Sequence, residues 1–298
     1  MASTHVSCGG PEGSGESKRK QKQKQKQKQR QKQMQQQQQQ QQLTSLEHQI
    51  TGGDPAMGNI PQLFELTDEC HHYTSRRQIE YDIQKYWEQR YSIWSLYDDG
   101  IYMTDDAWFG VTPEPVANHV ARDFAALVPA SRTVLIDIFA GAGGNVIAFA
   151  RSNRWSTIIA VEKNSAVIAC AHHNARIYGV ADQITWVNDD SFSYLTSSAS
   201  AIDPSTTVVF ASPPWGGPGY RDDEVFNLSK MQPYSVRQIH EAVRTMDCAL
   251  YLPRQSDLRQ VARLAPEGQK IEVVQYCMMG ASKAMVAYIP AASPPPVG

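Results

Sequence analysis

Three carboxylates, a glycine loop and a proline-stiffened turn carry the chemistry legible in this chain. Asp137, Glu162 and Asp190 lie at or just beyond the ends of apolar runs over 134–139, 157–161 and 184–187. Runs of that length, rich in β-branched residues, read as buried strands. After the first run, Asp137-Ile138-Phe139-Ala140-Gly141-Ala142-Gly143-Gly144-Asn145 opens a helical pattern. Glycine reaches φ > 0 and lets a ligand approach the backbone closely. The spacing is not the G-x-G-x-x-G of dinucleotide enzymes, and no G-K-[ST] follows, so a phosphate-cradling P-loop is excluded. A carboxylate just before such a loop suits a ligand with a positive end. Glu162 suits a pair of ribose hydroxyls, and Asp190 an adenine amino group. One acid at a strand end is ordinary. Three at successive strand ends point to S-adenosylmethionine, whose amino group and sulfonium are cationic.

A fourth apolar run, 206–211, leads into Ser212-Pro213-Pro214-Trp215-Gly216-Gly217-Pro218-Gly219-Tyr220. Two consecutive prolines lack N–H donors and cannot continue a sheet, so the chain leaves at its carboxyl edge. Open α/β sheets bind ligands at that edge. A stiff turn ending in an aromatic ring suits a flat, nitrogen-bearing ring held beside a second ligand. It resembles the signature of methyltransferases that act on exocyclic amino groups.

These residues need a scaffold, and the pattern supplies one. Strands over 134–139, 157–161, 184–187, 208–211 and 249–252 alternate with helices over 145–151, 165–178, 191–195, 235–246 and 256–264; strands at 271–275 and 285–289 close the series. Alternation of this kind builds a mostly parallel sheet with right-handed crossovers. The expected fold is therefore α/β: a class I, Rossmann-like domain with a seven-stranded, mostly parallel sheet and helices on both faces. A helix over 114–127 precedes it, with Thr112 as N-cap and Pro113 in the first position. Ile79, Ile83, Tyr86, Trp87, Tyr91 and Trp94 recur at helical spacing and predict one amphipathic helix over 77–96. The expected organisation is a tail over 1–60, a helical extension over 61–128, the Rossmann-like domain over 129–290 and a short tail over 291–298.

Composition sets further bounds. No 18-residue apolar run exists in the 298 residues, so no membrane span is expected. Five scattered cysteines without C-x-x-C spacing argue against a disulfide framework or a zinc site. The net charge of −2 conceals an asymmetry: residues 1–60 hold nine Lys/Arg against four Asp/Glu, and the remainder 19 against 26. The tail alternates lysine and glutamine from Lys18 to Lys32 and continues as polyglutamine from Gln35 to Gln42. It holds too little apolar surface to offset its ordering entropy and predicts a disordered arm. An acidic globular part binds nucleic acid only through well-placed cations. His172-His173 sits inside a helix, where adjacent side chains diverge, so no shared metal is expected. Asp222-Asp223-Glu224 reads as a solvated acidic turn.

Taken together, Lys85–Tyr91, Asp98-Asp99-Gly100-Ile101, Trp108-Phe109 with Val111-Thr112-Pro113-Glu114, the glycine loop and Ser212–Pro218 resemble the trimethylguanosine synthase family. The resemblance covers about 80–289. It implies an enzyme that methylates N2 of an N7-methylguanosine RNA cap twice, to 2,2,7-trimethylguanosine, with S-adenosylmethionine as donor. It implies that Ser212 and Pro213 orient the amine and that Trp215 stacks on the guanine. Phe109, Tyr220, Arg254 and Lys283 match positions that close the pocket and hold the cap phosphates. Thr112, Pro113, Ala140, Gly141, Gly143 and Asn145 join the three acids and Ser212 around the cofactor. Three departures stand out: Tyr102 replaces the usual lysine, Ala140 a cysteine and Glu162 an aspartate. By the same resemblance the substrates are small nuclear and nucleolar RNAs, recruiting ribonucleoprotein partners are expected, the compartment is the nucleus, and no oligomer is expected. Two alternatives are a methyltransferase for an internal RNA or DNA base and an inactive cap-binding protein.

Overall fold

A computed structural model describes residues 64–216, 224–278 and 280–292. The Lys/Gln arm, Tyr220, Asp222, Asp223 and residues 293–298 lie outside them. All described residues belong to one unit, Leu63–Gly298.

Seven strands form one sheet in the order β3-β2-β1-β4-β5-β7-β6. They are β1 (Val134–Asp137), β2 (Thr157–Val161), β3 (Ile184–Val187), β4 (Thr207–Ala211), β5 (Asp247–Leu252), β6 (Glu272–Met278) and β7 (Ala281–Ile289). The first five run parallel, and β7 lies antiparallel between β5 and β6. The strand order reverses between β1 and β4, which opens a crevice at their carboxyl ends. Every residue of β4 is buried, as is nearly all of β5. Both strands are accordingly apolar on both faces, as strands covered on two sides must be. Leu135, Val208, Phe210 and Tyr251 enter the core on one face, while Ile136, Val209, Leu250 and Leu252 enter the other.

The helices are α1 (Gln84–Trp87), α2 (Arg90–Ile93), α3 (Ala107–Gly110), α4 (Glu114–Leu127), α5 (Gly144–Arg151), α6 (Ser165–Ile177), α7 (Ser191–Ser197), α8 (Val236–Val243) and α9 (Leu258–Ala262). α4 buries Val116, Ala117, Val120, Ala121 and Phe124 along one stripe. Phe124 meets Phe149 of α5, Trp155 and Tyr288 of β7, which seats α4 on the sheet. No helix among the described residues is long and apolar enough to cross a membrane.

The single helix expected over 77–96 is instead broken into a 3-10 turn at Arg76–Gln78, then α1, then α2. Ile, Tyr, Trp and Asp are weak helix formers, so packing decides their conformation. Ile79, Ile83, Trp87, Ile93 and Trp94 are buried, whereas Tyr91 is 51% exposed. The Trp87 indole donates to the Tyr73 carbonyl, and the Arg90 guanidinium lies 3.8 Å from the Trp87 ring centre. The helical spacing therefore reported a real apolar set, but a compact series of turns buries it. These turns share one apolar core with α4, α5 and the sheet.

Candidate active site

The carboxyl ends of β1, β2 and β4 gather most of the residues singled out above. Asp137 ends β1 and is fully buried. Its Oδ1 accepts from the Phe139 N–H at 3.2 Å, and its Oδ2 has no partner within the described protein. Burial pushes its pKa up to about 8; the Glu162 charge adds to that push, and the Phe139 N–H opposes it. Without a ligand, burial favours the protonated carboxyl.

Glu162 follows β2. Its Oε2 accepts from the Gly141 N–H at 3.0 Å and its Oε1 from the Asn164 N–H at 2.9 Å. Burial raises its pKa, against the backbone N–H groups of Asn164, Gly141 and Lys163. The glycine loop is thereby pinned to the end of β2, a contact that no sequence pattern announced. Gly141 and Gly143 adopt φ of +53° and +97°, which favours glycine at both. At Gly143 a Cβ would lie 3.1 Å from Ile147 and 3.3 Å from the Ala171 backbone, so α5 enters through a close approach to α6. At Gly144 a Cβ would press on the Thr112 carbonyl at 3.1 Å, which sets the 111–113 segment against the loop. Ala140 is buried, with its N–H on the Val161 carbonyl.

Thr112 is not the N-cap of α4. Pro113 occupies that position in extended geometry. The Thr112 hydroxyl is buried and accepts from Asn145 Nδ2 at 2.9 Å. This hydrogen bond joins the extension to the first turn of α5 and leaves Asn145 Oδ1 buried without a partner. Two orphaned acceptors, Asp137 Oδ2 and Asn145 Oδ1, thus flank an open glycine loop. A buried acceptor without a donor is costly, and a ligand carrying N–H donors or a positive charge satisfies it.

Asp190 does more than a bare strand-end acid would. It caps α7 through the N–H groups of Phe192 and Ser193. The Tyr234 hydroxyl lies 3.0 and 2.9 Å from its two oxygens. Burial works against ionisation there, yet Tyr234, the Ser193 and Phe192 amides and Lys163 outweigh it and hold the pKa below the usual range. Tyr234 also packs on Phe192, with ring centres 4.0 Å apart. The sequence reading missed Tyr234; its position two residues before a helix carries no signal of that contact.

Beyond β4, Pro213 is buried and Ser212 and Trp215 are half-buried. The Trp215 indole N–H donates to the Tyr251 carbonyl at 3.3 Å. The two rings lie 11° from parallel with centres 6.0 Å apart. Phe109, on α3, stands edge-on to Tyr86 at 5.4 Å. Three residues past Tyr251, Arg254 is exposed and its Nη1 donates to the Ser282 carbonyl at 3.4 Å. The structure therefore brings Arg254 beside the segment that carries Lys283. Tyr220 lies outside the described residues.

Other candidates have structural partners. His173 Nε2 meets the Gly100 carbonyl at 2.9 Å, and His172 packs edge-on against Trp186. Burial lowers both pKa values. Tyr102 packs against His173, and Asn174 hydrogen-bonds both its N–H and its carbonyl. Among the described residues, no group of three or more His, Cys, Asp or Glu side chains could hold a metal ion.

The strand order, the glycine loop and the acids around it define a class I methyltransferase that uses S-adenosylmethionine. A family model described as RNA cap guanine-N2 methyltransferase matches residues 132–292, and the chain belongs to that family. It is similar to the trimethylguanosine synthase of Schizosaccharomyces pombe, 34% identical over 209 residues that cover 69% of this chain and 85% of the relative. It is also similar to the trimethylguanosine synthase of Saccharomyces cerevisiae, 36% identical over 183 residues, 60% of this chain and 57% of the relative. Among solved structures, the human methyltransferase 10 domain containing protein superimposes with a TM-score of 0.51 at 15% identity, covering 71% of this chain and 99% of that one. At that identity the likeness concerns the fold alone. The enzyme thus methylates N2 of the guanine of an RNA cap.

Proposed function

We propose that the enzyme converts an N7-methylguanosine cap to 2,2,7-trimethylguanosine by two successive transfers to N2. Its substrates in this reading are small nuclear and nucleolar RNAs, reached in the nucleus with the help of ribonucleoprotein partners. The observation that carries the reading is Trp215, set directly after Ser212-Pro213-Pro214 and held flat by Tyr251. N7-methylguanine bears a positive charge. An indole face attracts such a ring by about 2 kcal/mol when the contact is desolvated, and unmethylated guanine lacks that attraction. The names of the two yeast relatives support the same product.

In this assignment the orphaned acceptors of Asp137 and Asn145, with Thr112, Pro113, Ala140, Gly141 and Gly143, surround the amino-acid end of S-adenosylmethionine. Glu162 takes its ribose and Asp190 its adenine. When bound, the cofactor supplies an electrophilic methyl group on a sulfonium. The chain's own part is positioning. The Ser212 side chain and the Pro213 carbonyl accept from the N2 amine and aim its lone pair. No side chain is assigned as a base, and the N2 proton is lost to water. Phe109 closes the pocket, and Arg254, Lys283 and Tyr220 hold the cap phosphates.

The test supplies labelled S-adenosylmethionine with either N7-methyl-GTP or GTP. Two labelled methyl groups on N2 of N7-methyl-GTP, and none on GTP, are expected. Equal labelling of GTP would sink the role given to Trp215. Depleting the enzyme should remove trimethylguanosine from small nuclear and nucleolar RNAs, and a tagged copy should be nuclear.

A further inference from the structure

The geometry assigns Tyr251 as the positioning residue that fixes the plane of Trp215 and so sets selectivity for the N7-methylated ring. This rests on the reading of Trp215 as the cap-stacking residue. Trp215 follows two prolines and precedes Gly216, which has φ +90°. Such a turn fixes the backbone before the ring but does not itself choose the side-chain torsions. Tyr251 supplies two constraints that do. Its carbonyl receives the indole N–H at 3.3 Å, and its ring lies 11° from parallel at 6.0 Å. That is an offset stack within the range aromatic pairs prefer.

Tyr251 is itself immobilised. It is 4% exposed in β5, paired with Val286 of β7, and meets the Phe210 ring of β4 at 6.4 Å. Phe210 in turn packs edge-on against Phe149 of α5, the helix that the glycine loop opens. The indole plane is thus referred to the rigid middle of the sheet. Cation–π attraction requires the cation over the ring face, so an indole free to rotate loses selectivity as well as affinity. The same strand end continues through Leu252 and Pro253 to Arg254, whose guanidinium meets the Ser282 carbonyl beside Lys283. One strand terminus therefore spaces the ring holder from the phosphate holder. Tyr251 touches neither methyl donor nor amine in this assignment and acts through Trp215.

The experiment compares Tyr251→Leu and Tyr251→Phe with Trp215→Ala, measuring affinity for N7-methyl-GTP, GTP and S-adenosylhomocysteine, together with quenching of indole fluorescence by N7-methyl-GTP. Tyr251→Leu keeps the carbonyl and removes the ring. A loss of one ring stack predicts roughly three- to tenfold weaker N7-methyl-GTP binding and shallower quenching. GTP and S-adenosylhomocysteine affinity should stay within about twofold on the same account. Tyr251→Phe, which keeps the ring, should restore wild-type behaviour. Tyr251→Met, closer in volume, serves if the leucine variant does not fold, with thermal melts as the control. Unchanged N7-methyl-GTP binding in the ring-less variants overturns the assignment, as does an equal loss for all three ligands. If Trp215→Ala binds N7-methyl-GTP normally, the underlying stacking role fails instead.

Discussion

The two halves of the crevice are built on different principles. The half proposed for the cofactor, at the ends of β1 and β2, consists of acids fixed by nearby backbone amides: Phe139 on the buried Asp137, Gly141 and Asn164 on the half-buried Glu162. The half proposed for the cap, at the ends of β4, β5 and β7, consists of rings and cations joined by side chains over long sequence separations. Trp215 reaches Tyr251, and Arg254 reaches Ser282. The first half stores unsatisfied acceptors for a ligand to complete. The second presents a surface whose orientation must be imposed from the sheet below. A site with both needs can lose one ligand without losing the other, and substitutions should reveal that separation.

The largest effect is expected at Trp215. Trp215→Ala should reduce methylation of N7-methyl-GTP by about a hundredfold or more, because stacking and cation–π terms vanish together. S-adenosylhomocysteine affinity, read by calorimetry, should stay within about threefold. Loss of both would break the separation. Next comes Asp137→Asn, which should weaken S-adenosylhomocysteine binding by roughly 30-fold, the scale of one hydrogen bond to a charged group. The pH behaviour sharpens this. A carboxyl raised to about 8 favours the ligand-free fold most below its unfolded value and opposes it increasingly as pH rises towards 8. A cationic ligand reverses that preference, so binding at pH 7 should release a proton. Calorimetry in buffers of different ionisation enthalpy should show the release in the wild type and its loss in Asp137→Asn. The same variant should gain thermal stability over the wild type, without ligand, as pH rises from 5 to 8.

Smaller effects follow at the rim. Arg254→Ala should raise the KM for N7-methyl-GTP about fivefold at low salt and less in high salt, since an exposed cation is screened. Methylation at saturating substrate should hardly change. Thr112→Val should cost about 1 kcal/mol in denaturant unfolding, by leaving the Asn145 amide without its acceptor. It should perturb cofactor binding more than cap binding.

How much of this was legible in the sequence follows the same division. The cofactor half was readable because each acid sits beside its own strand and each partner lies within a few residues or on the adjacent loop. The sheet followed from alternation alone, with strand bounds shifted by at most a few residues. Tyr251 and Tyr234 were invisible, because no local pattern says which ring of β5 faces which ring of a β4 loop. The extension failed differently. Its apolar spacing was helical, but tertiary packing of Trp87 and Trp94 overrode the weak helix preference of the residues between them. Thr112 looked like a cap because Pro113 follows it, yet burial redirected its hydroxyl to Asn145.

Asn174, fully buried on α6, has a role that reaches beyond packing. Its amide donates to the carbonyls of Tyr102 and Ala142 and accepts from the Tyr102 N–H. One side chain thus grips the extension with one hand and the glycine loop with the other. Detaching the extension would strip the loop of its reference and leave an amide stranded in the interior. The catalytic core is therefore not separable at residue 128: a truncated chain should lose methyl-donor affinity along with cap affinity, and the smallest working enzyme begins before Tyr102.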